Sequence, residues 1–144
     1  MPDEGSPRSP LRYGEEITLG DVDAIVSFVS ERIAQSARAP RGSDERQMAR
    51  SIQFALKQLA GSLRHALPLV AAATPAEADD YTPLRTQIRS NWNTLRWLSA
   101  PWQIHDAYDH ARWQDVKYWD VRHAAETESL LRAAIDRRDL GHRP

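Results

Sequence analysis

Apolar residues spaced three and four apart, in blocks closed by proline and glycine, constrain this chain more than any other feature. Val22, Ile25, Val26, Val29 and Ile33 fall on one face of a helix turning about 100° per residue. Thr18 stands before that block with Asp21 three residues on, the spacing of a capping box, so a first helix is predicted over 19–37. Ala39-Pro40-Arg41-Gly42 breaks it, because proline has no amide to donate and glycine tolerates the turn.

Ser43 can cap a second helix over 43–67, with Asp44 and Glu45 set against its positive end. Met48, Ile52, Ala55, Leu56, Leu59, Leu63 and Leu67 form its stripe, Gly61 offers a place for close helix packing, and Pro68 ends or kinks it. Thr74-Pro75-Ala76-Glu77 marks a short helical turn in the connection. Thr82-Pro83 opens a third helix over 83–99, with Leu84, Ile88, Asn91, Trp92, Leu95 and Leu98 on its inner face. From Trp102 to Leu140 no glycine or proline intervenes, which predicts a long fourth helix over 102–139, stopped by Arg137, Arg138 and Gly141. Its apolar face drifts: Ile104, Ala107, Ala111, Tyr118, Val121 and Ala125 share one side, while Ala124, Leu131 and Ile135 lie about a quarter turn away. The helix therefore bends near 121–128, or its second half meets a different neighbour such as another subunit.

There is no β alternation, internal repeat or sustained heptad, so the expected fold is all-α: an antiparallel helical bundle with four main helices. The 144 residues suit one domain, assigned to 17–144. Residues 1–16 hold three of the nine prolines and little periodic apolar content, and are expected to be a flexible tail.

The absence of cysteine excludes disulfides, thiolate metal sites and cysteine nucleophiles. No apolar run is long enough to span a bilayer, and the acidic, proline-bearing start lacks the pattern of a secretory signal, so a cytoplasmic location is expected. Nineteen basic and twenty acidic side chains nearly cancel, leaving no overall field for a polyanion or an acidic lipid surface. Glycine-rich phosphate loops, Gly-x-Ser-x-Gly and His-Glu-x-x-His are missing, and no cofactor is predicted.

Three clusters are candidates for function. His105, Asp106, Asp109 and His110 supply imidazole and carboxylate at helical spacing, a ligand chemistry suited to zinc, manganese or iron if other helices contribute; the plainer reading is a polar first turn. Trp92, Trp97, Trp102, Trp113 and Trp119 fall within 28 residues, and Trp97, Trp113 and Val116 point away from the main faces, with Arg112 beside them. Such aromatics are either interface anchors or the core of two-faced helices. Arg85, Arg89 and Arg96, interleaved by Trp92, are the arrangement that can track a phosphate backbone.

The run Trp92-Asn93-Thr94-Leu95-Arg96-Trp97-Leu98-Ser99-Ala100-Pro101-Trp102, followed by His105, Tyr108 and Trp113, resembles the C-terminal segment of a family of short actinobacterial and actinophage proteins of unassigned activity. Phe28-Val29-Ser30-Glu31-Arg32-Ile33 is similar to that family's first helix, and together the matching parts cover about a third of the chain; Asp106 departs from the family's usual proline. The resemblance implies a bacterial or phage origin and no mechanism. A fainter similarity, to the four-helix DinB-like metal hydrolases and thiol transferases, would require His65 as the distant ligand. The function expected from these features is a non-catalytic protein-interaction or self-assembling module, binding a protein partner or another copy of itself. A metal-dependent bundle enzyme of DinB-like or His-Asp type and a nucleic-acid-binding regulator are the alternatives.

Overall fold

In the computed structural model, which describes residues 9–141, the Thr18 hydroxyl accepts from the Asp21 amide and the Asp21 carboxylate accepts from the Thr18 amide, both at 3.0 Å. Helix α1, Leu19–Ala37, grows from this reciprocal cap. The turn after it places Gly42 at a φ of 80°, a left-handed conformation that favours glycine. Ser43 then caps α2, Asp44–Ala71, by accepting from the Arg46 amide. A 3-10 segment over Pro75–Tyr81 leads into α3, Thr82–Ser99.

The first three helices form an antiparallel up-down-up bundle. Late α2 lies beside early α1, where Arg64 pairs with Asp23 at 2.8 Å, and Asn91 of α3 donates to Ser62 of α2 at 2.9 Å. Val22, Ile25, Val29 and Ile33 meet Leu56, Ala60, Leu63 and Ala66 across the axis, and Ile88, Trp92 and Leu95 close the third side. Helix α2 continues one turn past Pro68. Proline removes only one ladder bond there, and burial of Ala66 and Val70 holds the last turn on the core. Met48, expected on the inner stripe, is exposed, and a methyl group added at Gly61 would meet nothing within 4 Å, so that glycine serves no close packing.

Two expectations are corrected. The helix predicted over 102–139 exists only as α4, Val121–Leu140; after a 3-10 turn at Ala100–Trp102, residues 103–120 form a non-helical strap that runs back along α3. At 20 residues α4 is also shorter than the 28 of α2. The absence of glycine and proline permitted a helix in the strap, but tertiary partners take up its backbone groups instead. The second correction concerns the tail: residues 1–8 lie outside the described residues, whereas Leu11 and Gly14 are buried against the strap and bundle. All four helices fall among the described residues with no strand between them, so the all-α expectation holds.

Candidate functional site

The strap is fastened by a row of polar side chains on α3 spaced four, four and three apart: Arg85, Arg89, Asn93 and Arg96. Arg85 stacks its guanidinium over the Trp119 ring at 5.3 Å, and Arg89 donates to the Lys117 carbonyl at 2.7 Å. Asn93 reads the Val116 backbone with both ends of its amide, donating to the carbonyl at 2.9 Å and accepting from the N–H at 2.8 Å. Arg96 pairs with Asp115 at 3.5 Å, and the buried Trp92 indole donates to the Gln114 carbonyl at 2.8 Å. The row thus supplies the strap's backbone with partners that a helix would have found internally.

The N-terminal segment locks the strap from its other edge. Leu11, Gly14 and Glu15 donate their amides to the carbonyls of Ala111, Tyr118 and Trp119 at 2.8–3.0 Å. Arg112 reaches the first turn of α1, where it grips both oxygens of Asp21 at 2.6 and 3.0 Å and donates to the carbonyls of Glu16 and Ser9. Burial alone would raise the Asp21 carboxyl, but the hydrogen bonds from Arg112 and from the Thr18 backbone outweigh it and hold the group below its ordinary value. The hydrogen bond to Asp21 raises Arg112 in turn, against the effect of burial.

These contacts relocate most of the candidate residues. Trp113 is 4 % exposed and Val116 1 %, so both are core, packed inward because the strap crosses the bundle without a helical twist. Trp113 lies 4.9 Å from both the Phe28 and Tyr108 rings. Arg112 is a half-buried clasp rather than the polar neighbour of an interface. Of the four proposed interface residues, only Trp97, 68 % exposed, lies on the surface. Arg85, Arg89 and Arg96 do share a face, yet their Nε atoms are buried beneath the strap and their outer groups engage it, so they do not form an open phosphate track.

The metal candidates also have local partners. His105 Nδ1 accepts from the Ala107 amide, its Nε2 meets Arg32, and its ring stands edge-on to Phe28. Asp109 accepts from the Arg112 amide, His110 packs on Tyr108, and Asp106 is exposed. Among the described residues no group of three or more His, Asp and Glu side chains is placed to hold a metal ion.

Among the described residues, α4 is the one helix with no other helix packed along it. Asp120 caps it by accepting from the His123 amide, and His123 Nδ1 accepts from the Trp119 amide, so its first turn is fixed to the strap. Beyond that turn it packs along none of the other helices, and none of its residues is buried. Leu131 at 54 % and Ile135 at 58 % exposure, with Val121, Leu130 and Leu140, stand in solvent. A second apolar feature is a cavity of about 450 Å³ at the end of the bundle, between Ile17, Leu67, Val70 and Trp119, with Glu15 and Arg85 among its walls.

The sequence carried signals for some of this. A polar row at helical spacing was visible in Arg85, Arg89 and Arg96, but Asn93, the member that defines its role, was overlooked because asparagine on a helix reads as neutral. No helix among the described residues is long and apolar enough to cross a membrane. No protein-family model matches the chain, and no match is found among curated proteins or solved structures.

Proposed function

We propose that this protein works by binding: a clasped three-helix bundle holds out α4 as a docking helix for a protein partner. The observation that carries the reading is that α4 buries no residue while carrying Val121, Leu130, Leu131, Ile135 and Leu140 exposed. Helices in proteins draw most of their stability from packing an apolar face, and α4 packs none within the described residues. The polar groups of the earlier candidate sites support the same reading, since the arginine row and Arg112 are engaged in holding the strap. Trp97, exposed on α3, supplies a further aromatic anchor for the partner.

Hydrogen exchange in dilute protein tests this. The α4 amides from Leu130 onward should exchange orders of magnitude faster than those of α1–α3, and slow when a partner is bound. Exchange along α4 as slow as in the bundle would mean that the helix is complete within its own chain, and would overturn the reading.

A further inference from the structure

The apolar and charged side chains of α4 are ordered along one line. Val121, Ala124, Glu128, Leu131, Ile135 and Arg138 follow one another at intervals of three and four, the two-position seam of a coiled-coil heptad. All but Ala124 are exposed, so the seam faces solvent rather than the bundle. Leu131 and Ile135 occupy its middle, with an acid on one side and a base on the other.

That order selects an occupant. A parallel copy of the same helix would set Glu128 on Glu128 and Arg138 on Arg138. Turned antiparallel about a two-fold axis at the level of residue 133, the same seam places Leu131 opposite the partner's Ile135. It also places Glu128 opposite the partner's Arg138, each pairing occurring twice by symmetry. These are the cross-layers an antiparallel two-helix seam forms. Ala134 meets its own copy beside the axis, where a small side chain lets the backbones approach. Arg132 also meets its copy there, with Asp136 one turn along its own helix to offset the like charges.

Resting on the reading of α4 as a docking helix, we infer that its partner is a second copy of this chain. The two α4 helices pair antiparallel through Leu131 and Ile135, in a register set by Glu128 and Arg138. With the axis at residue 133 the two helices overlap over 126–140, a contact about 22 Å long at the small end of specific interfaces, so the dimer is weak and forms at concentrations on the order of micromolar and above. The like-charge approaches of the parallel arrangement are what exclude it.

Light scattering on the full chain across a concentration series, with each variant's thermal melt recorded to show that the bundle is folded, tests the inference. The wild-type mass should rise from 16.4 kDa toward twice that value. Leu131→Asp should abolish the rise, whereas Leu130→Asp, off the seam, should leave it. Glu128→Arg and Arg138→Glu should each weaken association by about tenfold or more. Their combination, which restores opposite charges across the axis, should recover it. A wild-type chain that stays monomeric, a dimer indifferent to the charge reversals, or one broken by Leu130→Asp and not by Leu131→Asp would each overturn the inference. Hydrogen exchange separates that failure from failure of the docking-helix reading: fast exchange along α4 in the monomer leaves the reading standing with another partner, and slow exchange removes both.

Discussion

Asp21 and Arg112, 91 positions apart, meet as a two-pronged ion pair that joins the first turn of α1 to the strap. Asp21 performs two tasks there, since the carboxylate that caps the Thr18 amide also receives the guanidinium. The pair is largely shielded from water, with side-chain exposures of 4 % and 12 %. Breaking one half leaves the other charge buried and unmatched.

Replacing Arg112 with alanine should therefore cost about 3–5 kcal/mol in urea unfolding, more than an exposed charge removal. Replacing both partners with apolar residues of similar volume should cost less than either single change. The pH dependence follows from the Asp21 carboxyl, which is held below its ordinary value in the fold. Its contribution is fully present above the unfolded value of 3.8 and is lost as pH falls through the lower folded value. Asp21→Asn should flatten the acid limb of the stability curve. Glu15 works in the opposite sense, because burial, with Asp120 and Glu16 nearby, raises it, and stability gains as its folded form takes up a proton on acidification.

Gly14 and Gly61 should respond oppositely to alanine. A methyl group at Gly14 would come within 2.6 Å of the Trp119 ring, which the strap and Arg85 hold in place. Gly14→Ala should destabilise by about 1–3 kcal/mol through overpacking. Gly61 sits in the exposed interior of α2 with open space around it, so Gly61→Ala should stabilise by about 0.5–1 kcal/mol through helix propensity. Thermal melting of the two variants checks both signs.

Asn93 is the residue on which the strap's register depends. Asn93→Leu would leave the Val116 amide and carbonyl without partners beneath a buried side chain, at a cost of about 2–4 kcal/mol. Denaturant unfolding gives the magnitude, and loss of exchange protection at the Val116 amide would localise it.

The helices were legible wherever local signals agreed. Thr18 with Asp21 and Ser43 with its acidic first turn marked the starts of α1 and α2 closely, because caps and dipoles act within one turn, while α3 starts at Thr82-Pro83 through the proline's fixed φ with no side-chain cap. The strap was not legible, since nothing in Gln103 to Asp120 forbids a helix. Its conformation depends on Asn93, Arg89, Trp92 and residues 11–15, all distant in sequence. The same dependence misplaced Trp113 and Val116, whose outward direction on a helical wheel becomes inward on a strap of turns and irregular backbone. Leu11 was missed because a lone apolar residue beside Pro10 shows no period. The drift of the apolar face between Ile104 and Ile135 arose because only the residues from Val121 onward are helical, so one wheel cannot hold both halves.

The central claim, that the clasped bundle is complete without α4, is tested most directly by comparing the full chain with one ending at Thr127, which keeps the Asp120 cap and the Trp119–His123 contact. At sub-micromolar concentration the two should unfold with the same cooperativity, within about 1 kcal/mol of each other, because none of the described residues removed, 128–141, is buried. A loss of more than about 3 kcal/mol, or of cooperative unfolding, would contradict the claim by showing that α4 belongs to the core of its own chain.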